Sequence, residues 1–332
     1  MPNLAEFLEN INSRFSRTSG GAGAFEGTFR FNEPMADHTT FKVGGPADLW
    51  ICPRGDTFPG YAALLLENAR SAGIPVFILG GGANLVVSDR GIRGIVLDTS
   101  GYCGSAEAGG GLFFRAGTSV DGAVNEAADR GLSGLEFLAG MPGSVGGALF
   151  MNARCYNREM SDVVTEAEAL DRGERVRIPL KKEAFDYKKS PFQGGDALIL
   201  GVLFSLEPAD PRIICAEMEQ YRRDRENKGH YRFPCAGSAF KNNRNFGKPT
   251  GQIIDELGLK GFSVGDAQVA PWHGNIIINR GRARAEDIKK LAEELESRVA
   301  GERGLLLEPE IIFAGEGFGP EYGRPSGPEG VP

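Results

Sequence analysis

The sequence predicts an α+β chain of two or three domains, on three observations. Its 332 residues exceed one small domain, since a domain takes roughly 100–200 residues. Strand and helix patterns alternate over residues 29–139. From Val163 the texture changes to a hairpin, a long apolar strand and a connecting helix, and a third segment follows over residues 227–314.

Each element has its own signal. Leu4, Phe7, Leu8, Ile11 and Phe15 share one face of a helix over residues 3–16. With a linker this helix forms an N-terminal segment, residues 1–27. Its start lacks a basic and apolar leader pattern, so it reads as an amphipathic helix rather than a signal peptide. Residues 47–52 read as a strand, 61–72 as a helix stopped by Gly73, and 75–79 as a short buried strand ending directly in glycines. Strands follow at 94–97 and 112–116, then a helix at 120–130 ended by Gly131. Residues 163–170 and 175–178 form a hairpin around Asp171, Arg172 and Gly173. A strand at 197–206 precedes a helix at 213–226, which serves as a boundary connector. One domain thus spans 28–226, in two subdomains that divide near 100–110. The third segment reads helix (251–257), strand (275–279), helix (285–299) and strand (305–313). Residues 315–332, rich in Gly, Pro and Glu, are expected to be disordered.

Composition narrows the function. Net charge is −7, from 37 basic and 44 acidic side chains, so the basic excess of a nucleic-acid binder is missing. The basic stretch at 222–228 is interrupted by acids and reads as a helix end. Five scattered cysteines without C-x-x-C spacing read as reduced cytosolic thiols, and three distant histidines give no metal-ligand cluster. No run of about 18 apolar residues is present, so no membrane span is expected. A cytoplasmic protein is expected, as a monomer or weak oligomer.

Two glycine-rich segments carry the cofactor reading. In the first, an apolar strand runs into Gly80-Gly81-Gly82-Ala83-Asn84-Leu85. Glycines let main-chain N–H groups approach a bound anion. Leu85 stands where the dinucleotide fingerprint needs glycine, and no Gly-Lys-Ser/Thr follows, so the common nucleotide motifs are excluded. A tight strand turn remains the plain alternative. The second segment is Gly140-Met141-Pro142-Gly143-Ser144-Val145-Gly146-Gly147, whose glycines and proline argue against a regular helix or strand. Such a loop can line a diphosphate from the opposite side, with Asn152 adding an amide donor.

These two segments, preceded by Thr39-Thr40-Phe41-Lys42-Val43-Gly44-Gly45-Pro46-Ala47-Asp48, resemble the UDP-N-acetylenolpyruvoylglucosamine reductase family in order and content. The resemblance spans residues 28–314. It implies the FAD-binding fold of the vanillyl-alcohol-oxidase (PCMH) type in two α+β subdomains, plus a C-terminal α+β substrate domain. It implies FAD as cofactor and NADPH as co-substrate. The activity implied is reduction of UDP-N-acetylglucosamine enolpyruvate to UDP-N-acetylmuramate, for peptidoglycan synthesis. The FAD contacts implied are Gly80, Gly81, Gly82, Ala83, Asn84 and Leu85, then Gly140, Pro142, Gly143, Ser144, Gly146 and Gly147, with Asn152 and Ala153.

The implied reaction dictates what else is needed. Hydride addition at C3 of an enolpyruvyl group leaves charge at C2, spread into the carboxylate. A cation or acid must sit there, and a proton donor must face C2. In Leu305-Leu306-Leu307-Glu308-Pro309-Glu310-Ile311-Ile312-Phe313, strand alternation puts Leu306, Glu308, Glu310 and Ile312 on one face. A carboxylate among such neighbours is costly to ionise unless a cation is near. An edge-strand salt bridge beside Pro309 is the alternative reading. The resemblance to a Leu-Glu-Pro-Glu motif makes Glu310 catalytic. Ser238, in Ala236-Gly237-Ser238-Ala239-Phe240-Lys241-Asn242, is by itself an ordinary turn residue, and no G-x-S-x-G elbow suggests a hydrolase. The resemblance makes Ser238 the proton donor and Asn242 a substrate contact.

The sequence also departs from the family pattern. Tyr187-Lys188-Lys189-Ser190 replaces Tyr-Arg-x-Ser, so Lys188 stands in for the catalytic arginine and keeps its charge without its planar fork. Lys189 and Arg154 are alternative sources of that charge, and Tyr187 is a substrate contact. Arg154-Cys155 replaces Gly-Ala, which puts a cation near flavin or substrate, and Gly229-His230 replaces Gln-Pro. Lys228, Lys260 and His273 occupy matching positions and imply contacts to the nucleotide diphosphate or a carboxylate, with a structural histidine as the alternative for His273. The short interval from Ser190 to Ser238 leaves little room for a substrate-covering tyrosine loop, so the chain resembles the family's shorter class. Two competing functions share the fold: another FAD-dependent oxidase or dehydrogenase, and a non-catalytic nucleotide-sugar-binding flavoprotein.

Overall fold

A computed structural model describes residues 3–18 and 25–318; most of the tail expected to be disordered lies outside the described residues. The chain opens with α1 (Leu4–Thr18), β1 (Gly27–Pro34), β2 (Pro46–Pro53), α2 (Phe58–Ser71), β3 (Val76–Leu79), β4 (Leu85–Val87) and β5 (Ile92–Asp98). The first sheet runs β1-β2-β5-β3. β2, β5 and β3 are parallel, and β1 adds antiparallel at the edge. Parallel strands covered on both faces read as apolar runs, as in Ile95, Val96 and Leu97 of β5. Leu8, Ile11 and Phe15 of α1 pack with Tyr61 and Leu65 of α2 on Leu49 and Ile51. Tyr61 donates to Asn12 Oδ1 at 2.9 Å and fixes the two helices.

A second sheet begins after Asp98. Its region holds β6 (Ser105–Ala108), β7 (Gly111–Arg115), α3 (Val120–Asp129), β8 (Leu132–Ser133), α4 (Val145–Phe150), β9 (Arg154–Cys155), β10 (Arg158–Glu159), β11 (Val164–Asp171), β12 (Glu174–Pro179), β13 (Leu198–Phe204), β14 (Glu207–Pro208) and α5 (Pro211–Asn227). The order is β12-β11-β13-β7-β6, all antiparallel. The β11–β12 hairpin turns through Arg172 and Gly173, both at positive φ (50° and 88°), the two-residue primed turn that matches strand twist. Phe114, Phe137, Leu149 and Phe204 are fully buried at the centre of this region, each contributing roughly 1.5–3 kcal/mol of burial.

The third region carries β15 (Cys235–Ser238), α6 (Thr250–Glu256), β16 (Ser263–Val264), β17 (Ala267–Val269), β18 (Ile276–Asn279) and α7 (Ala285–Arg303), with sheet order β15-β18-β17-β16. Its core also takes in Phe41 and Val43 from the first region. β19 (Ile312–Ala314) then leaves this sheet and pairs in parallel with β4.

Two expectations need correction. Residues 305–313 are not one strand. Only Ile312–Ala314 joins a sheet, and Leu306 is 80 % exposed while Leu307 is buried, so no common apolar face surrounds Glu310. Pairing before Ile312 is limited to one antiparallel bridge, between Pro309 and Phe240. The segment instead runs beside residues 239–241, with Lys241 N bonded to Glu308 O and Glu310 N bonded to Ala239 O. The second glycine segment, in turn, is partly helical. Val145, Gly146 and Gly147 form the first turn of α4, made possible by Ser144 as its N-cap.

Candidate active site

A cleft of about 2050 Å³ runs between the three regions. That is about twice the upper end of the ~300–1,000 Å³ range for one small-molecule site, so it has room for a dinucleotide and a second ligand together.

The two glycine segments form one wall. A Cβ on Gly81 would lie 2.5 Å from Gly143 Cα, so the two main chains touch where only glycine fits. Gly82 sits at φ +59° with a would-be Cβ 2.0 Å from His38 O. Ser144 Oγ staples the segments, accepting from Gly81 N at 3.2 Å and Gly147 N at 3.3 Å. Among the described residues the N–H groups of Gly82, Ala83, Asn84, Gly143 and Ser144 have no protein acceptor. Free amides on two loops packed this closely suit the diphosphate of FAD. Leu85, Pro142 and Ala153 line the same wall.

Some residues expected here have other duties. Gly140 N donates to Asp121 Oδ1 at 2.7 Å, and Gly146 N to Ala116 O at 2.9 Å. Asn152 is fully buried; its Nδ2 donates to Asp186 O at 3.1 Å and its Oδ1 accepts from Ser161 N at 3.1 Å. Its amide therefore positions the loop that carries Lys188 and offers nothing to the cleft. Asn84 Nδ2 donates to Glu310 O at 2.9 Å, which joins the glycine wall to the segment that carries Glu310.

Lys188, Glu310 and Ser238 come together at one corner. Lys188 Nζ lies 2.5 Å from Glu310 Oε1, with side-chain exposures of 13 % and 12 %. This is the cation that an ionised carboxylate requires. Lys188 holds a left-handed backbone (φ 58°), an uncommon state for a side-chain-bearing residue that needs support from its surroundings. Gln193 Nε2 gives it, donating to Lys188 O at 3.2 Å and Phe150 O at 2.7 Å. The bond from Glu310 N to Ala239 O (2.8 Å) sets Glu310 beside Ser238. β15 is irregular between Cys235 and Ser238, the kind of strand defect that re-aims a side chain. Among the described residues Ser238 Oγ has no protein partner, and the residue lines the cleft.

Tyr187 does not line the cleft itself, but its phenol oxygen accepts from Asn242 N at 3.3 Å. Arg154 lines the cleft with its guanidinium 5.6 Å from the Tyr187 ring centre. Lys228 and His273 also line it. Lys228 is paired with Asp224 at 2.6 Å. His273 Nδ1 accepts from Asn275 N at 3.1 Å, so its neutral ring carries the proton on Nε2. Lys260 is not brought to the cleft; it pairs with Asp255 at 2.8 Å outside the lining.

Three residues have no site role in the sequence alone. Arg225 is buried; its Nε donates to Ala139 O at 2.9 Å and its Nη2 to Cys155 Sγ at 3.2 Å, tying the second glycine segment to the β9–β10 turn. The signal was its place on the buried stripe of α5 with Ile214 and Met218. Asn275, also buried, brackets Phe240 through its Oδ1 and Nδ2 and fixes the segment after Ser238. His230 lines the cleft; burial first, then Arg225, His273 and Lys228, push its pKa down to about 4.

Comparison with known proteins agrees with this geometry. A family model described as an FAD binding domain matches residues 62–178. A model described as the C-terminal domain of UDP-N-acetylenolpyruvoylglucosamine reductase matches residues 229–314. The enzyme of that name from Treponema denticola is 40 % identical over 311 residues, covering 88 % of this chain and 95 % of its own. That from Borrelia garinii is 38 % identical, covering 85 % and 92 %. The crystal structure of the reductase from Thermus caldophilus superposes with a TM-score of 0.71 at 33 % identity, over 87 % of this chain and 99 % of that one. The fold is thus an FAD-binding domain of the PCMH type followed by the substrate domain of these reductases, and the chain belongs to the UDP-N-acetylenolpyruvoylglucosamine reductase family.

Proposed function

We propose that the chain reduces UDP-N-acetylglucosamine enolpyruvate to UDP-N-acetylmuramate with NADPH, for peptidoglycan precursor synthesis. The observation that carries this reading is the Lys188–Glu310 pair closing beside Ser238 in the cleft that the glycine wall lines. FAD, when bound, supplies the hydride relay from NADPH to C3 of the enolpyruvyl group. Gly82, Ala83, Asn84, Gly143 and Ser144 would hold its diphosphate through main-chain N–H groups.

The chain's side chains handle charge and proton. Lys188 sets a positive charge where the substrate carboxylate gathers electron density, and Glu310 holds that ammonium in place. Ser238 Oγ gives a proton to C2. Because Ser238 sits on an irregular strand and Glu310 on a segment bonded to Ala239, the two share one rigid frame. Asn242, Lys228 and His273 meet the nucleotide sugar; the one free proton of His273 makes it a hydrogen-bond donor rather than a charge.

The test is purified holoprotein mixed with NADPH and the enolpyruvate substrate. NADPH oxidation should match substrate in a one-to-one ratio with the lactyl ether as product. Consumption of oxygen instead marks an oxidase, and neither activity marks a nucleotide-sugar binder.

A further inference from the structure

Lys188 is already committed: its ammonium meets Glu310 at 2.5 Å with both side chains largely buried. A lysine so paired offers a point charge and no planar fork for a carboxylate. The same corner holds a fork, on a different segment. Arg154 stands on β9 opposite Glu159 on β10, and the hairpin closes through Tyr156 and Asn157, both left-handed (φ 51° and 61°). This tight turn fixes where the arginine emerges. Its guanidinium lies 5.6 Å from the ring centre of Tyr187, the residue next to Lys188. Nη1 donates to Glu159 Oε2 at 3.2 Å, and among the described residues Nε and Nη2 have no protein acceptor. The side chain is three-quarters buried (25 % exposed) yet lines the cleft with Lys188, Glu310 and Ser238.

The two departures from the family pattern are complementary. Lysine stands at 188 where the resembled pattern has arginine, and arginine stands at 154 where that pattern has glycine. Resting on the reaction proposed above, we infer that Arg154 clamps the substrate carboxylate with its free N–H edge, beside the point charge of Lys188 that Glu310 holds in place. The work of one arginine is then split between two segments. The competing reading makes Arg154 only a cross-strand partner of Glu159.

Calorimetric binding of two ligands to the FAD-loaded protein separates these readings. UDP-N-acetylmuramate carries the carboxylate, and UDP-N-acetylglucosamine lacks it. The wild type should prefer the first. Arg154→Ala should lose roughly tenfold or more of that preference while binding UDP-N-acetylglucosamine as before, which also shows that it is folded. Arg154→Lys should recover part of the preference, and Glu159→Gln should keep it. Arg154→Ala with the preference intact, or Glu159→Gln losing as much as Arg154→Ala, overturns the assignment. A wild type without the preference overturns the proposed substrate as well.

Discussion

The glycine wall offers its ligand main-chain N–H groups, whereas the reducing corner is assembled from side chains on three distant segments, at 188, 238 and 310. The wall depends on the absence of side chains, since Gly81 and Gly143 touch where no Cβ fits. The corner depends on their presence and on a support for each: Gln193 under Lys188, Asn275 behind Ser238, Asn84 on Glu310. Substitutions in the wall should therefore cost the cofactor, and substitutions in the corner should cost one half-reaction and leave the cofactor bound.

The largest effect is expected at the wall. Gly81→Val forces a side chain into Gly143 and should weaken FAD binding at least roughly tenfold, about 1.4 kcal/mol, read as lost flavin absorbance in the purified protein. Full FAD content in that variant would erase the contrast between the regions. Lys188→Ala comes next. It leaves Glu310 without its cation and should slow reoxidation of the flavin by substrate by about 10²-fold, with FAD content unchanged. Near-normal turnover would take Lys188 out of the corner. Ser144→Ala removes a helix cap and the staple to Gly81 and should lower thermal stability by about 1 kcal/mol. An unchanged melting temperature would show the loops hold without it.

The smallest effect concerns pH. His230 is held near 4 in the fold against an ordinary 6.5, so between those values the unfolded chain binds the extra proton. Stability should fall as pH drops from about 6.5 toward 4, and His273, shifted down in the same direction by burial, adds to the slope. The ring of His230 is only partly buried, which limits the size. His230→Gln should flatten the profile; an identical profile would mean the ring titrates freely.

The same contrast explains what was legible beforehand. Glycine clusters are a local signal, and so are the Arg172-Gly173 turn and the apolar run of β13, so these elements and the two glycine loops are readable from residue order. The corner needed three segments to meet, which residue order shows only through resemblance to known motifs. Local rules also misled there. Alternation puts Glu310 on an apolar strand face that the segment does not form, and Asn152 reads as a free donor although two main-chain partners use it. Arg225 and Asn275 act through main-chain bonds made only in the folded chain, so nothing adjacent in sequence announces them.

The central claim is tested most directly by following both half-reactions of Ser238→Ala without oxygen. Reduction of its flavin by NADPH should proceed at the wild-type rate, and reoxidation by UDP-N-acetylglucosamine enolpyruvate should slow by about 10²–10⁴-fold. Equal slowing of both steps, or of neither, would contradict Ser238 as the proton donor at this corner.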